Sequence, residues 1–247
     1  MKKVLALVLC ILLFQNYLQA ETEPTLHFCT VASDRKLGLV QLLRSCLVYN
    51  IPMDVLGLGM PFRGLNEKLI HIKRYVEDIP ETDIVMFVDA YDVLFLSTPE
   101  QILKKFKKMN SNFVIAVERT CWPYGELASK FPQSPTSLRY LNSGAFIGYA
   151  GHIKQILKEV SPIVASGDDQ GELTKHYFKK QKMYTFDYKG ELFLTMMGLG
   201  NHEVIIDTRN RTVTFTETYI KPCIVHGNGT SRPLYQLIFD AFFKIKI

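Results

Sequence analysis

The fold is decided by the stretch DIVMFVDAYDVLFL, residues 83–96. Its apolar run, Ile84 to Val88, has the length and β-branched content of a strand buried on both faces of a parallel sheet. The run ends in an acidic cluster, in which Asp89 and Asp92 flank Tyr91. A single Asp often only turns the chain out of a strand, but two acids around a tyrosine favour a site. Because ligands of open α/β sheets bind beyond the carboxyl ends of such strands, we predict a divalent-cation site that can hold a diphosphate.

Strands and helices alternate on both sides of this run. The hydrophobic patterns predict strands at 26–32, 54–58, 84–88 and 113–118, and helices at 37–50, at 68–79 and from residue 98 onward. The prediction of the first helix rests on apolar residues at helical spacing, namely Leu37, Val40, Leu43 and Leu47. Later segments predict a glycine-marked turn and strand at 141–148, helices near 152–160 and 169–180, and strand-like runs at 203–207, 211–216 and 224–229. The alternation argues for a parallel, doubly wound sheet in one α/β domain.

The first 20 residues have the layout of a secretory signal peptide. Two lysines precede an apolar core from Val4 to Phe14, and a polar stretch follows that ends in Ala20, where cleavage is expected. A retained anchor is the alternative, but the apolar core is short for a bilayer span. We therefore expect a mature domain, residues 21–247, without a stable membrane span, either in the lumen of the endoplasmic reticulum or secreted.

Charge and cysteine content restrict the classes of function. The net charge of +5 falls by two, to +3, without the lysines of the signal peptide, and the remaining basic residues are spread along the chain. This distribution argues against nucleic acid as a partner, although it suits an anionic small substrate. Four cysteines remain, at positions 29, 46, 121 and 223, which permits disulfides but matches no zinc-site spacing. Their pairing stays open, and a sequon at Asn210 predicts N-glycosylation.

A further candidate ligand set follows the last predicted strand, in the sequence His226-Gly227-Asn228-Gly229. Glycines allow the backbone to approach a ligand closely and to adopt positive φ angles. An imidazole nitrogen of His226 could complete an oxygen-rich metal site, a combination that Mn²⁺ accepts. Taken alone, the histidine is more simply a surface or capping residue, so the metal role depends on the acidic cluster lying nearby.

Other acids lie at Asp168, Asp169 and Glu118. The first two precede a predicted helix, where a helix cap is the simpler explanation. Glu118 ends the fourth predicted strand, and Trp122, the only tryptophan of the chain, follows it in a loop. A tryptophan in a loop could serve as a lid or as a platform for the apolar face of a sugar ring. If the strand order is as predicted, these side chains lie near the same sheet edge as Asp89.

Five motifs occur in the same order as in a known family. They are FVDAYDVLF at 87–95, CWP at 121–123, LNSGAFIGYA at 141–150, DDQ at 168–170 and IVHGNG at 224–229. Over residues 26–232 the chain resembles the N-terminal glycosyltransferase domain of the procollagen lysyl hydroxylases, whose multifunctional members glycosylate collagen hydroxylysine. It more distantly resembles the collagen galactosyltransferases. The resemblance implies a single-domain GT-A glycosyltransferase fold with a mostly parallel, Rossmann-like sheet, which binds a UDP-sugar together with Mn²⁺.

The resemblance also implies roles for individual residues. Three are implied as metal ligands: Asp89, Asp92 and His226. Five, in addition to Asp89, are implied to contact the uridine, the diphosphate or another part of the nucleotide: Ser33, Lys68, Tyr91, Asn228 and Gly229. Five are implied to act in catalysis or to line the pocket of the donor sugar and acceptor: Glu118, Trp122, Asn142, Asp168 and Asp169. A diphosphate contact by Asn228 would make glycosylation of its own sequon unexpected.

The chain departs from the family's pattern at three places. The acidic run that precedes DDQ in the family is reduced here to residues 166–169, and Ala145 stands where the family favours a second glycine. The chain ends at Ile247, which leaves no room for the domains that hydroxylate lysine. Lysyl hydroxylase activity is therefore not expected.

Three hypotheses of function fit these residues. The first is a metal-dependent transferase of the secretory pathway that moves glucose from UDP-glucose to galactosyl-hydroxylysine in collagen-like proteins. The second is a related transferase that uses UDP-galactose or acts on another glycoprotein acceptor. The third is a UDP-sugar-binding accessory protein without catalysis, which the shortened acidic run favours and the intact metal set disfavours.

Overall fold

The structure, a computed structural model, describes residues 23–244, so the predicted signal peptide at 1–20 lies outside the described residues. The strands in chain order are β1 Leu26–Val31, β2 Met53–Leu56, β3 Ile84–Val88, β4 Val93–Phe95, β5 Phe113–Glu118, β6 Tyr140–Tyr149, β7 Thr185–Phe186, β8 Phe193–Thr195, β9 Val204–Asp207, β10 Thr212–Phe215 and β11 Ile224–His226. The α-helices are α1 Leu37–Tyr49, α2 Glu67–Glu77, α3 Pro99–Lys108, α4 Ala150–Val160, α5 Asp169–Lys179 and α6 Arg232–Phe243.

Six strands form the central sheet, in the order β2-β1-β3-β6-β5-β7. β1 pairs in parallel with β2 and β3, and β5 pairs in parallel with β7. The prediction of a mostly parallel sheet in an α/β domain is therefore confirmed. β6 departs from the doubly wound pattern, because it lies antiparallel between β3 and β5. Parallel neighbours need a crossover connection, usually a helix, and the segment before β6 contains only the short 3₁₀ helix Gly125–Lys130.

β3 lies at the centre of the domain, as its sequence predicts, and all five of its residues are buried. Val85 and Phe87 join the hydrophobic cluster that includes side chains of α2, α4 and α5. Ile84, Met86 and Val88 join the cluster on the other face, with side chains of α1 and α3. Burial of each such side chain stabilises the fold by about 1.5–3 kcal/mol. The carboxyl end of β3 is thus fixed from both sides.

Helix α1 forms where it is predicted, but the apolar residues that predicted it do not face the core. They are the exposed or partly exposed side chains Leu37, Val40, Leu43 and Leu47. The buried face contains Leu39, Leu42 and Cys46 instead. The helix is apolar on most of its circumference, so spacing alone identifies the helix and not its buried face.

A second, three-stranded sheet has the order β4-β11-β8. β11 pairs antiparallel with β4, so that His226 lies opposite Val93, and it pairs in parallel with β8. The backbone N–H of Gly227 donates to the carbonyl of Asp92 at 2.7 Å, which extends this pairing beyond the strands. The second sheet therefore brings the end of the chain back to the acidic cluster. β4 and β8, with three residues each, were not predicted.

β9 and β10 form a separate antiparallel hairpin, close to the two strand-like runs predicted there. Its turn carries the Asn210 sequon on an exposed surface, and glycosylation at this residue stays a prediction.

Within residues 23–244, none of the helices has the length and apolar character of a membrane span. In the same part of the chain Cys29, Cys46, Cys121 and Cys223 are all free, so the disulfides that an oxidising compartment would permit are not formed there.

Candidate active site

Three side chains that can bind a metal converge at the carboxyl end of β3. Asp89 follows β3, Asp92 precedes β4 and His226 ends β11, and we call these residues the metal triad. One ligand atom from each lies within 4.8 Å of the other two. His226 Nε2 lies 3.2 Å from Asp92 Oδ1 and 3.8 Å from Asp89 Oδ2. Two carboxylate oxygens and one imidazole nitrogen in this arrangement fit a divalent cation such as Mn²⁺.

Gly144 on β6 leaves the space that the metal triad occupies. A Cβ atom at this position would lie 2.2 Å from His226 Cε1 and 2.8 Å from Asp89 Oδ2. The Gly144 carbonyl also accepts a hydrogen bond of 2.8 Å from the backbone N–H of Asp89. The LNSG motif therefore supports the metal triad through its backbone, and the absence of a side chain at Gly144 is what allows the close approach.

Lys68 on α2 links the metal triad to the acids at the start of α5. Its Nζ lies 2.9 Å from Asp89 Oδ1 and 2.8 Å from Asp169 Oδ2. Burial acts to lower the pKa of Lys68, but the two carboxylates outweigh burial and raise that pKa above its ordinary value. Lys68 therefore stays protonated and neutralises part of the acidic charge of the site.

The members of the metal triad perturb one another electrostatically. Burial raises the pKa of Asp89, against the opposing charges of Lys68 and His226. Burial acts in the same direction on Asp92, yet His226 and Arg232 hold the pKa of Asp92 below its ordinary value. Burial acts to lower the pKa of His226, but the Asp92 and Asp89 carboxylates raise it. The triad is thus a largely shielded cluster whose charges depend on one another, as in many functional sites.

Glu118 is the centre of a second buried group, which also contains Asn142, Gln170 and Asn228 and which we call the Glu118 cluster. Glu118 Oε1 accepts hydrogen bonds from the side-chain amides of Gln170 at 2.8 Å and Asn142 at 3.1 Å. Its Oε2 accepts a bond of 2.8 Å from Asn228 Nδ2. Burial raises the pKa of Glu118, and the amide donors oppose this shift. Glu118 therefore fixes side chains from three other motifs in place.

Asp168 and Asp169 have different surroundings, although they are neighbours in sequence. Asp168 caps α5, where its carboxylate accepts a bond of 2.6 Å from the backbone N–H of Gly171. Burial raises the pKa of Asp168. Asp169 is buried against Lys68 and lies on the wall of a cavity. The helix cap considered from the sequence thus describes Asp168, whereas Asp169 faces the site.

Two adjoining cavities meet at the metal triad. The first, of about 180 Å³, is walled by Ser33, by Tyr91 and by the loop formed by residues 57–66. The second, of about 320 Å³, is walled by residues for which the sequence predicted a role, namely Glu118, Trp122, Asn142, Asp169, Asn228 and Gly229. Residues that line both cavities are Leu65, Lys68, Asp89 and Asp92. A ligand with two parts joined by a diphosphate could therefore place one part in each cavity, with its phosphates beside the metal triad.

Tyr91 is fixed in the first cavity by the segment that leads into α1. Its hydroxyl donates to Asp34 Oδ1 at 3.2 Å, and the Lys36 ammonium lies 5.4 Å from the centre of its ring. Gly38 packs directly on the backbone of Tyr91, since a Cβ atom there would lie 2.1 Å from the Tyr91 carbonyl oxygen. Tyr91 is thus held in position for contact with a planar ring.

The structure adds residues whose roles the sequence did not predict. Arg232 begins α6, lies 3.8 Å from Asp92 Oδ2 and lines the first cavity. It could have been found as the first basic residue after the HGNG motif. Gln170 was noted only as part of DDQ, although it bonds Glu118, the Trp122 carbonyl and the backbone N–H of Ser143. No local signal identifies that role, because all of its partners are distant in sequence.

Comparison with known proteins identifies the family. The model of the PLOD GT domain matches residues 22–239. The chain is 33% identical to the multifunctional procollagen lysine hydroxylase and glycosyltransferase LH3 of Homo sapiens, over 82% of this chain and 29% of that protein. It is 31% identical to the procollagen-lysine,2-oxoglutarate 5-dioxygenase of Drosophila melanogaster, over 94% of this chain and 34% of that protein. It is also 28% identical to uncharacterized protein R699 of Acanthamoeba polyphaga mimivirus, over 80% of this chain and 44% of that protein.

The chain spans about a third of the length of the first two of these relatives. The match covers the metal triad, both cavities and the Glu118 cluster, since all of these lie between residues 22 and 239. The resemblance found in the five motifs is therefore confirmed, and the chain belongs to the PLOD GT-domain family of glycosyltransferases.

Proposed function

We propose that this chain is a metal-dependent transferase that moves a hexose from a UDP-sugar to galactosyl-hydroxylysine in collagen-like proteins. The observation that carries this proposal is the position of the metal triad at the boundary of two cavities. A nucleoside diphosphate sugar has the same order of parts: a base and ribose, a charged diphosphate, and a sugar. The specific proposal for the donor is UDP-glucose, from which glucose is transferred. We place the protein in the secretory pathway, either in the lumen of the endoplasmic reticulum or secreted.

In the first cavity, the uridine would contact Tyr91 and Ser33. The metal triad would hold Mn²⁺, which when bound would neutralise the diphosphate and act as a Lewis acid for the departing UDP. Lys68 and Arg232 lie on the wall of this cavity and bring positive charge to the phosphates. Each of these groups would bind the donor or stabilise its leaving group, so their loss would weaken both binding and turnover.

The diphosphate would also contact the HGNG backbone. Gly229 adopts a φ angle of +59°, and a Cβ atom there would lie 2.2 Å from Met197 Sδ. Asn228 is held on two sides, because its Nδ2 donates to Glu118 and its Oδ1 accepts a bond of 3.2 Å from the Met197 N–H. This segment is therefore preorganised for close approach of a ligand to its backbone.

In the second cavity, the donor sugar would lie between Trp122 and Asp169. Cleavage of the bond from C1 to the diphosphate gives the sugar oxocarbenium character, which a nearby carboxylate can stabilise. Asp169 fits this role better than Asp168, because Asp169 lines the cavity whereas Asp168 caps a helix. Trp122 lines the cavity and is about half exposed, so its face is accessible to a sugar or to the acceptor.

The proposed acceptor rests on the relatives. Two of them are named for procollagen lysine, and one of these is named both hydroxylase and glycosyltransferase. Since this chain matches only part of each, hydroxylation is not proposed for it. The described residues contain the metal triad and both cavities, which are the parts that sugar transfer requires.

The test is turnover with a panel of UDP-sugars. The purified protein would be incubated with Mn²⁺, with each UDP-sugar, and with or without a collagen peptide that carries galactosyl-hydroxylysine, and released UDP and the modified peptide would be measured. We expect peptide-dependent transfer from UDP-glucose that Asp92→Ala abolishes and Asp240→Ala retains, since Asp240 lies on the surface of α6.

Transfer from UDP-galactose alone would replace the proposed donor. Metal-dependent UDP binding without turnover on any donor or acceptor would support the accessory hypothesis instead. Absence of metal-dependent UDP binding would overturn the proposal as a whole.

A further inference from the structure

One buried side chain, Asn66, joins the two loops beside the cavities. Loop 57–66 walls the first cavity through Met60, Pro61 and Phe62. Loop 161–168 leads directly into Asp169 at the start of α5. Asn66 ends the first loop and is only 2% exposed. Its contacts with the second loop therefore connect the cavity for the nucleotide with the acid in the cavity for the sugar.

Asn66 contacts loop 161–168 through both its side chain and its backbone. Its Nδ2 donates to the carbonyl of Val164 at 2.7 Å, and its backbone N–H donates to the carbonyl of Gly167 at 3.1 Å. Two glycines permit this approach. A Cβ atom at Gly167 would lie 2.3 Å from Asn66 Nδ2, and one at Gly64 would lie 2.4 Å from the carbonyl oxygen of Ala165.

The Asn66 side chain does not serve as an ordinary helix cap. Asn66 occupies the capping position of α2, where an asparagine usually accepts a hydrogen bond from the first turn, but its side chain makes no such bond. Its Oδ1 is buried without a hydrogen-bond partner in the part of the chain that the structure describes. Leaving a buried acceptor unpaired costs about 1–3 kcal/mol. The amide is therefore oriented for the bond to Val164 at the expense of local capping.

The residues around Asn66 belong to both cavities. Leu65 and Lys68 lie on either side of it in sequence and line both cavities. Lys68 in turn bonds Asp169 at 2.8 Å. Loop 57–66 and Asp169 are thus connected by two routes, one through the Asn66 bond to loop 161–168 and one through Lys68.

We propose that Asn66 is a positioning residue that couples filling of the nucleotide cavity to the placement of Asp169 in the sugar cavity. The inference rests on the proposed function, because it takes UDP as the occupant of the first cavity. When UDP packs against loop 57–66, the Asn66 bond to Val164 orders loop 161–168 as well. The loop that leads into Asp169 is then held more firmly when the nucleotide is bound, in addition to the Lys68 pair that holds Asp169 itself.

The decisive variant is Asn66→Asp. Aspartate has nearly the same shape and is a good helix cap, but as a carboxylate it has no N–H to donate to Val164; because it also buries a charge, Gly167→Ala serves as a second variant that tests the same contact without one. We expect Mn²⁺-dependent UDP binding, measured by calorimetry, to stay within about threefold of the wild type. We expect kcat to fall about tenfold, as for loss of one hydrogen bond to a positioned group, with little change in the KM for the donor.

Hydrogen exchange, measured by mass spectrometry, tests the coupling between loop 57–66 and loop 161–168 directly. In the wild type, UDP with Mn²⁺ should slow amide exchange in both loop 57–66 and loop 161–168. In Asn66→Asp the nucleotide should slow exchange only in loop 57–66. Gly167→Ala, whose new Cβ atom would displace the Asn66 amide from the opposite loop, should give the same result.

Leu58→Ala is the matched control in the same loop. Leu58 is exposed and lines neither cavity, so its truncation should leave UDP-dependent exchange in loop 161–168 and kcat unchanged. If Asn66→Asp and Gly167→Ala both keep the wild-type kcat and the UDP-dependent protection of loop 161–168, the coupling role is wrong. If the wild-type protein itself fails to bind UDP with Mn²⁺, the proposed function fails, which is a distinguishable result.

Discussion

The metal triad and the Glu118 cluster are both built on carboxylates that are at least partly shielded from solvent, but the partners of these carboxylates differ. Asp89 and Asp92 face charged partners: Lys68 lies 2.9 Å from Asp89, and Arg232 lies 3.8 Å from Asp92. Glu118 faces three neutral amide donors. A carboxylate paired with charged groups can bind a metal ion in their place, and the charged groups can then bind phosphates. A carboxylate that already accepts hydrogen bonds from several amides has few free lone pairs for a ligand. The charge of the partners, more than burial, therefore distinguishes the metal triad, which can bind a ligand, from the Glu118 cluster, which supports the structure.

The metal triad and the Glu118 cluster also differ in their access to solvent. The side chains of Asp89 and Asp92 are partly exposed to the two cavities. Glu118 is 5% exposed and is held by residues from three other segments of the chain. We therefore expect changes in the metal triad to affect metal and nucleotide binding. Changes in the Glu118 cluster should affect the geometry of the second cavity while the metal still binds.

The largest expected effect comes from His226→Ala. The variant loses the only nitrogen ligand of the metal triad and removes the imidazole that lies 3.2 Å from Asp92. Residues that only support metal ligands typically contribute 10–100-fold to metal affinity, so loss of a ligand should weaken Mn²⁺ binding by more than about 100-fold. Titration of Mn²⁺ in the presence of UDP, followed by calorimetry, measures this change.

His202→Ala provides the control for this prediction. His202 is exposed and lies outside both cavities, so the variant should bind Mn²⁺ as the wild type does. Wild-type Mn²⁺ affinity in His226→Ala would show that the triad is not the metal site.

Gly144→Ala tests the triad without removing any ligand. The new methyl group would lie 2.2 Å from the His226 ring and 2.8 Å from Asp89 Oδ2, so one or both must move. We expect a loss of Mn²⁺ affinity of about 10–100-fold, the range for residues that orient ligands. Gly125→Ala is the matched control, since a Cβ atom there meets no atom of residues 23–244 within 4 Å. Equal Mn²⁺ affinity in the two variants would mean that this close approach does not matter.

Glu118→Gln should have a smaller effect, and of a different kind. The substitution replaces one acceptor oxygen by an amide group, which then faces other amide donors. We expect about 1–3 kcal/mol lower free energy of unfolding and a kcat about tenfold lower, with Mn²⁺-dependent UDP binding retained. Urea unfolding and steady-state kinetics measure the two effects, and Glu77→Gln, at an exposed residue of α2, should show neither.

The pH dependence of kcat distinguishes the roles open to Glu118. If Glu118 only positions its neighbours, the profile in Glu118→Gln keeps its shape and is lowered evenly. If Glu118 acts as a general acid or base, the rate should fall by roughly 10²–10⁴-fold and one limb of the profile should disappear. The second outcome would overturn the separation between the metal triad and the Glu118 cluster.

These two groups also show what the sequence could predict. The end of β3 and its acids are a local signal, because an apolar strand followed by carboxylates is visible within ten residues. The Glu118 cluster has no such signal: Gln170 and Asn228 lie 52 and 110 residues away from Glu118. The resemblance to the family implied roles for Glu118, Asn142 and Asn228 but not for Gln170, and it could not indicate that Asn142 donates to Glu118.

Other differences have equally physical causes. The strands β4 and β8 have three residues each, too few for a recognisable period, and they form because β11 pairs with both. The antiparallel direction of β6 depends on the connection before it, which no residue pattern of β6 itself encodes. Helix α1 was predicted, but its buried face was not, because both faces carry aliphatic residues.

Another buried carboxylate, Asp187, has donors that are all backbone N–H groups within the described residues. It accepts bonds from the N–H groups of Glu191 at 2.9 Å, Leu192 at 2.7 Å and Phe193 at 2.8 Å, which fix the turn into β8. Burial nevertheless raises the pKa of Asp187 from 3.8 to about 6. The folded state therefore takes up a proton that the unfolded chain does not. The stability from Asp187 is fully present below about pH 4 and is lost as the pH rises through about 6, by roughly 3 kcal/mol in all.

Asp187→Asn should remove this dependence while kcat stays within about threefold, because the side chain lies outside both cavities. The measurement is the free energy of unfolding in urea at pH 4.5 and pH 7.5 for both proteins. Asp207→Asn is the informative control: Asp207 also accepts backbone bonds, from Arg209 and Asn210, but it is only half-buried and its pKa is lowered, chiefly by the Asn210 side-chain amide. Its removal should cost stability at neutral pH and less in acid, the opposite direction. If both variants change the pH dependence of stability in the same direction, burial does not decide whether such a carboxylate stabilises the fold in acid or at neutral pH. The type of hydrogen-bond donor would then decide it.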